Sequence, residues 1–408
     1  MMRTAAIVAS GDELVYGFVE ERNSSWLAGR LLDIGIEPVF CGVVADNAAL
    51  YGETLHWALA AADVVITTGG LGPTVDDLTR QVVARVTGRR LVSVKEAEQH
   101  IKDVLQKLGV PVRESELRQA LIPEGATPIQ NRYGTACGFA LQVGRTHLFC
   151  LSGVPQEMRQ MFEDGVLPLL KGTGRPLYWR RFNTMGLSES ELQAIVHGVA
   201  LPKGVRVAYT ASDYLISLTV YAHDEKLLDE SAEKVKKAIP PKRLISEGKK
   251  ALNEALFEAL QARGATFAVA ESFTGGLVLD RITDVAGISA HLRGGIVAYS
   301  TDAKIALLGV AKETIEKFGV YSLEVAEEMA RCAAERFGAD FGISTTGVAG
   351  PQPAGPDLPA GLAFIGVYGD GVAKARRFTI SGSRRSVKSR AANIALNILR
   401  LALLESPK

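Results

Sequence analysis

The chain has 408 residues, with 46 Lys plus Arg against 45 Asp plus Glu, 47% hydrophobic and 22% charged residues. At roughly 150 residues per domain this predicts two or three domains, each long enough to bury a core. The formal net charge of +1 argues against a dedicated nucleic-acid binder. No run approaches the ~18 apolar residues of a membrane span, and the opening Met1-Met2-Arg3-Thr4 leads into an apolar run too short for a secretory signal. The four cysteines (Cys41, Cys137, Cys150, Cys332) form no CxxC pair and the six histidines no HxxxH pair. Neither a zinc site nor a disulfide framework is expected. The chain reads as a cytoplasmic multidomain protein.

Residues 5–9 are a short apolar run that predicts the first strand. Asn23-Ser24 then offers an N-cap for a helix carrying Trp26, Leu27, Leu31 and Leu32 and closed by Gly35. Residues 39–44 and 64–68 are β-branched runs of strand length. This alternation predicts a mostly parallel sheet with helices on both faces, which binds ligands at the carboxyl ends of its strands. Residues 171–176 shift to Gly, Thr, Arg and Pro and read as a linker. A smaller segment follows, with strands at 178–185, 205–209 and 215–221, helices at 188–196 and 225–238, and Pro240-Pro241 near its end. A second α/β unit runs from about Glu247 onward.

The densest signal is Thr67-Thr68-Gly69-Gly70-Leu71-Gly72-Pro73-Thr74-Val75-Asp76-Asp77-Leu78-Thr79. A strand ends at Thr68 and a helix is expected to begin near Val75. Glycines let backbone N–H groups approach a phosphate, and a helix N-terminus adds positive partial charge. The spacing is neither Walker A nor GxGxxG. Thr74 and Asp77 also sit at capping-box spacing, which accounts for one acid without a ligand. Two adjacent carboxylates beside such a loop would repel a phosphate unless a divalent cation bridged them. Ser10-Gly11-Asp12-Glu13-Leu14 and Leu151-Ser152-Gly153-Val154-Pro155-Gln156-Glu157-Met158 are two further strand-end loops with acids. Together the three point to a metal-assisted phosphate or pyrophosphate site.

Near the other end, a strand at 266–270 leads into Glu271-Ser272-Phe273-Thr274-Gly275-Gly276 and a helix. Ser272 is either an N-cap or a nucleophile with a base in reach. No GxSxG elbow is present, which argues against an α/β-hydrolase triad. The candidate base is Lys304, in Tyr299-Ser300-Thr301-Asp302-Ala303-Lys304. If Ser300 caps that helix, the macrodipole disfavours an ammonium at Lys304, and burial would lower its pKa further. The bland reading is a lysine whose stem covers apolar surface. Ser344-Thr345-Thr346-Gly347-Val348-Ala349-Gly350-Pro351 opens a Pro/Gly-rich stretch of binding-loop composition. Residues 371–404 hold eight basic residues and no acid, among them Arg384, Arg385, Lys388 and Arg390. They form either a solvated helix face or an anion-binding group.

The loops at 10–14, Arg22-Asn23-Ser24, 67–79, Asn131-Arg132-Tyr133-Gly134-Thr135-Ala136 and 153–158, with the Ser272 and Lys304 segments, resemble those of the competence/damage-inducible CinA family. The resemblance covers essentially the whole chain. It implies an α/β protein with a molybdopterin-binding-like three-layer domain over 1–171, a small KH-like α+β domain over 172–246 and an α/β/α amidohydrolase domain over 247–408. For the first domain it implies metal-dependent hydrolysis of ADP-ribose to AMP and ribose 5-phosphate. Asp77 would be catalytic, Asp12, Glu13, Asp76, Asp77 and Glu157 would be ligands of a divalent cation, and Asn23, Thr68, Gly69, Gly70, Gly72, Thr74 and Gly153 would contact substrate. For the last domain it implies deamidation of nicotinamide mononucleotide (NMN) without a cofactor. Ser272 would be the nucleophile and Lys304 the base, with Tyr299, Thr346 and Arg384 in support and Gly275, Gly276, Gly347 and Gly350 around the substrate. The glycine loops would supply oxyanion donors.

Ser152 and Cys137 stand where the family carries Pro, Ser383 where it carries an acid, and Phe273 where it carries Cys; the larger Phe273 is expected to reshape the pocket. RNA-binding KH modules clamp backbone through a GXXG loop, and residues 172–245 contain none, so the middle segment reads as a spacer and dimer contact. The partners expected are NMN and ADP-ribose, with a homodimer and no membrane or nucleic acid. The rival readings are a molybdopterin-type binding or adenylyl-transfer domain fused to an inactive scaffold, and a non-enzymatic accessory to competence or DNA repair.

Overall fold

The structure, a computed structural model, describes residues 3–405, so the Met1-Met2 opening lies outside it. The chain divides into two compact units, one ending at Tyr178 and the other starting at Trp179.

The first unit is built on a six-stranded sheet in the order Ile36–Val44, Arg3–Ser10, Val64–Thr68, Thr146–Leu151, Gly138–Val143, Thr127–Ile129. The first four strands are parallel and the last two antiparallel. Every residue of Val64–Thr68 is buried, as a β-branched strand covered on both faces requires. Strand alternation splits the first strand between two cores. Ala6 and Val8 join Tyr51, Leu55 and Val83 on one face; Ala5 and Ile7 join Leu27, Leu31, Met158 and Phe162 on the other. The chain leaves Arg3–Ser10 for a neighbour on one side and then crosses to the other. That places a topological switch point beside the carboxyl end of the first strand, where open α/β sheets bind ligands.

Two local expectations need correction. The helix Asn23–Asp33 has Arg22, not Asn23, at its N-cap, because the Asn23 amide is drawn to two other loops, as described below. The helix after the glycine loop starts at Thr79, not near Val75. Asp77 folds back onto the loop and closes a turn ahead of that helix.

The second unit holds two sheets. A four-stranded sheet runs Arg206–Ser212, Leu215–Ala222, Tyr178–Met185, Leu244–Glu247, with helices Glu189–Val199 and Glu225–Ala238. Ser188 and Glu191 make a reciprocal capping box at the start of the first helix, the signature that Ser-x-x-Glu predicts. A five-stranded sheet runs Leu292–Val297, Phe267–Glu271, Phe341–Gly347, Leu362–Gly369, Val372–Thr379. Its first three strands are parallel and the last two antiparallel. Helices Leu252–Arg263 and Arg384–Glu405 cover one face; helix Leu323–Phe337 covers the other through Val325, Met329 and Ala333. Phe267–Glu271 lies between its two parallel neighbours, so a second switch point falls at its carboxyl end. No helix among the described residues is long and apolar enough to cross a membrane.

Helix Leu323–Phe337 lies close because two sheet glycines leave room for it. A Cβ on Gly342 would strike the Ala330 carbonyl, and one on Gly366 the Ala326 carbonyl. Gly342→Ala is therefore expected to destabilise the second unit by about 1–3 kcal/mol through overpacking, read by urea unfolding. An unchanged midpoint would mean the helix shifts at no cost.

Candidate active sites

In the first unit the carboxyl ends of three parallel strands open into a cleft of about 1450 Å³. Asp12, Glu13, Asp76, Asp77 and Glu157 all line it, as do Asn23, Thr68, Gly69, Gly70, Gly72, Thr74 and Gly153. Asn23 ties the loops together: its amide donates to Thr68 Oγ1 at 3.1 Å and to the Gly153 carbonyl at 2.8 Å. Thr68 Oγ1 in turn donates to the Ser152 carbonyl at 2.8 Å. Gly69 and Gly70 adopt φ of +105° and +64°, and a Cβ at Gly69 would strike the Ser10 carbonyl. A glycine is required there both for conformation and for the close approach of two strand ends.

The acids divide into two groups. Asp77 accepts from the backbone N–H of Gly72 (2.8 Å) and Thr74 (2.8 Å) and from Thr74 Oγ1 (2.6 Å). Glu157 accepts from Ser152 Oγ at 2.6 Å and the Asn131 amide at 2.8 Å. These two carboxylates hold loops. Asp12 exchanges backbone-to-carboxylate hydrogen bonds with Asp46 at 3.0 and 3.1 Å. Asp46 was not anticipated from sequence, although it follows the buried end of strand Ile36–Val44. Its carboxyl is raised above the usual range, first by burial and then by the fields of Asp12, Glu13 and Asp76. Among the described residues no three His, Cys, Asp or Glu side chains converge as a ready metal cage. Arg80, only 3% exposed, donates to the carbonyls of Leu71 (2.5 Å) and Gly72 (2.7 Å). It anchors the glycine loop from behind, a role that no motif signalled.

In the second unit Ser272 follows strand Phe267–Glu271 directly, at the switch point. Its Oγ accepts from Lys304 Nζ at 2.9 Å, and the same ammonium donates to the Ala298 carbonyl at 3.0 Å. Ser272 is 3% and Lys304 1% exposed. Burial lowers the Lys304 pKa to about 8. Ser300 caps the short helix Thr301–Ala303, its Oγ accepting from Ala303 N–H at 3.1 Å, and a π-helical turn, Lys304–Leu308, follows. The lysine thus lies in the interior at a helix start, where both burial and the dipole disfavour charge.

Glu271 is fully buried and accepts from Gly276 (2.9 Å), Val278 (3.2 Å) and Leu279 (2.9 Å) N–H groups. A carboxylate on three helix-start donors fixes the loop that carries Ser272. Its place beside the serine was in plain view; its inward direction follows only from the fold. At Gly275 and Gly276 this corrects the oxyanion expectation: the Gly276 N–H is held by Glu271 and the Gly275 N–H by the Ser272 carbonyl at 3.1 Å. The Ser272 N–H donates to Thr345 O at 2.9 Å.

Arg384 donates to the Gly350 carbonyl at 2.7 Å and to the Tyr299 hydroxyl at 2.8 Å, so these three come together at the rim. Thr346 donates to the Val320 carbonyl, while its neighbour Thr345 meets Thr274, two residues after Ser272, at 2.6 Å. Adjacent strand residues face opposite ways, and the one that turns toward the serine loop is Thr345. Gly347 approaches Leu362, whose carbonyl a Cβ would strike. Phe273 is buried in the core with Val269, Val278 and Val387 and does not line the neighbouring cleft. Its ring fills the interior beside Ser272. That cleft, about 790 Å³, sets the cations Arg281, Arg384, Arg385 and Lys388 against a single acid, Asp280, with Thr274, Gly275, Gly276, Leu277 and Ser389 completing its wall.

Glu271→Ala would leave three helix-start donors without an acceptor. We expect about 2 kcal/mol or more of lost stability, measured by thermal unfolding; a wild-type midpoint would contradict the bracing role.

Comparison with known proteins gives a consistent picture. Residues 249–403 match the family described as "CinA C-terminal domain" and residues 6–172 the "Probable molybdopterin binding domain". A CinA-like protein of Kosmotoga olearia is 36% identical over 98% of this chain and 99% of its own. Another from Geotalea daltonii is 37% identical over 99% and 100%. The solved structure of a CinA protein from Thermoplasma acidophilum aligns with 40% of this chain and 95% of its own, at 31% identity and a TM-score of 0.38. The chain belongs to the CinA family.

Proposed function

We propose that the second unit is an amidohydrolase that deamidates NMN to nicotinate mononucleotide and ammonia. The observation that carries this reading is the buried Lys304 Nζ–Ser272 Oγ hydrogen bond of 2.9 Å. A serine hydroxyl is a weak nucleophile until a base takes its proton, and burial that lowers Lys304 to about 8 leaves roughly a fifth of it neutral near pH 7.4, far more than an ordinary lysine. Ser272 Oγ attacks the carboxamide carbon as its proton passes to Lys304. Lys304 returns that proton to the departing nitrogen, and the C–N bond breaks to release ammonia. Water then attacks the acyl ester as Lys304 accepts its proton; the ester C–Oγ bond breaks, Lys304 returns that proton to Ser272 Oγ, and nicotinate mononucleotide leaves. The cations Arg384, Arg385 and Lys388 on the adjoining cleft suit the phosphate of a mononucleotide.

The sign of the pH dependence follows. Base catalysis needs neutral Lys304, so kcat/KM for ammonia release should rise about tenfold per pH unit below pH 8 and level off above it. A profile flat from pH 6 to 9 would contradict the lysine's role. Lys304→Ala should remove activity without loss of fold.

A second reading, for the first unit, is supported by the crowding of Asp12, Glu13 and Asp76 on Asp46. Such a donor set suits a hard divalent cation held by one or two carboxylates and completed by substrate phosphates, as Mg²⁺ is commonly held. The cation would supply Lewis acidity at a pyrophosphate, and ADP-ribose hydrolysis to AMP and ribose 5-phosphate is the reaction proposed. One or two of Asp12, Glu13 and Asp76, which line the cleft without converging as a three-acid cage, would hold it. Asp77 and Glu157 are committed to the loops, a narrower set than the five acids expected. Asp76→Asn should lower metal-dependent AMP release at least 10–100-fold with an unchanged melting temperature. Asp77→Ala should lower the melting temperature as well. Equal turnover in Asp76→Asn and wild type would refute the assignment.

A further inference from the structure

The hairpin of strands Arg206–Ser212 and Leu215–Ala222 belongs to the four-stranded sheet and lies outside the 249–403 stretch matched by the CinA C-terminal domain. Its two-residue turn, Asp213-Tyr214, has φ of +48° and +69°. Left-handed backbone at both positions is the geometry of Asn-Gly turns, and a tyrosine there is unfavourable unless its surroundings impose it.

Those surroundings are the walls of the amidohydrolase cleft. Ser389 Oγ donates to the Asp213 carboxylate at 2.5 Å, and the Asn393 amide donates to the Asp213 carbonyl at 2.9 Å. Arg281, on helix Leu277–Thr283, lies 3.7 Å from the same carboxylate. It also donates to the Ser389 carbonyl at 2.7 Å, and to Ser389 Oγ and Asn393 Oδ1. Tyr214 lies under the Arg390 guanidinium, 5.6 Å from its ring centre, and Leu215 packs onto the core of the five-stranded sheet. One turn residue therefore joins the helix that follows the Ser272 loop to the first turns of the helix that carries Arg384, Arg385 and Lys388. Arg281 and Ser389 both line the cleft. Lys388 sits close across it: a Cβ on Gly275 would lie 3.3 Å from its ammonium.

We infer that Asp213 is a positioning residue for the second unit's cleft, clamping the two helices through Arg281 and Ser389 so that the Arg384, Arg385 and Lys388 cations stand at the spacing that receives a phosphomonoester. The middle sheet is then part of the binding site and more than the spacer read from sequence. This inference rests on the deamidase reading for its substrate but not for its geometry. Asp213 touches neither the nucleophile nor the base, so it acts on binding of the phosphate and not on the acyl step.

The test uses the full chain with Asp213→Ala and Asp213→Asn. In Asp213→Ala the KM for NMN should rise about tenfold or more while kcat stays within about twofold, since small displacements of a positioning group carry such penalties. Asp213→Asn keeps an acceptor for Ser389 and should recover most of the loss. Independently of turnover, calorimetric binding of phenyl phosphate, a phosphomonoester without a carboxamide, should weaken by the same factor in Asp213→Ala. The affinity removed by Lys388→Ala identifies the cleft's share of that binding. Weakened phenyl phosphate binding with no ammonia release from the wild type would sustain the clamp and sink the deamidase reading. Wild-type KM and phenyl phosphate affinity in Asp213→Ala, equal losses in kcat and KM, or no Lys388-dependent binding would each overturn the inference. Should Asp213→Ala not fold, Asp213→Asn and Ser389→Ala carry the same comparison, with a rise in KM alone expected for Ser389→Ala.

Discussion

The second unit depends on an ammonium kept out of water. Among the described residues Lys304 meets no carboxylate; its hydrogen bonds go to a serine hydroxyl and one backbone carbonyl. A buried cation without a counter-ion is unfavourable, and the group responds by favouring its neutral form. In the proposed mechanism, burial of Lys304 and activation of Ser272 are thus one physical event. The surrounding structure serves that placement: Ala298 supplies the second acceptor, Ser300 starts the helix, and Glu271 secures the loop on the other side.

The two units share a device. The six-stranded sheet of the first unit and the five-stranded sheet of the second each run parallel from one edge through the centre and antiparallel at the other edge, and each gathers its polar loops at a switch point. The electrostatics then diverge. The first cleft is lined by acids that repel one another, the second by three arginines and a lysine against one acid, Asp280. A chain with a net charge of +1 therefore hides two clefts of opposite character, which whole-chain charge could not reveal.

Much of the fold was legible because its local signals agree. The β-branched run Val64–Thr68, the Ser188–Glu191 box and the Ser300 cap each point to the element that forms. The Ser272–Lys304 pair was legible as two candidates 32 residues apart, but only the sheet brings them to hydrogen-bond distance. What sequence did not supply was the direction of side chains. Asp76 and Asp77 are adjacent and both line the cleft, yet the Asp77 carboxylate closes a turn while Asp76 is left as a cation-ligand candidate. Thr345 and Thr346 are adjacent, and the pleat sends them to opposite faces. Phe273 was expected at the pocket because it follows the serine, and it enters the core instead. Asp46 and Asp213 act through contacts distant in sequence, which spacing cannot show, and Arg80 reaches back across the glycine loop to carbonyls that carry no motif.

The account stands or falls on whether Ser272 carries a covalent acyl group. The most direct measurement is turnover of NMN with hydroxylamine present, following ammonia, nicotinate mononucleotide and the corresponding hydroxamate in wild type and Ser272→Ala. An acyl-enzyme predicts that hydroxamate forms at the expense of the acid in the wild type and that all three products vanish in the variant. Ammonia release that persists in Ser272→Ala would contradict the account, because the amide bond would then break without the buried pair.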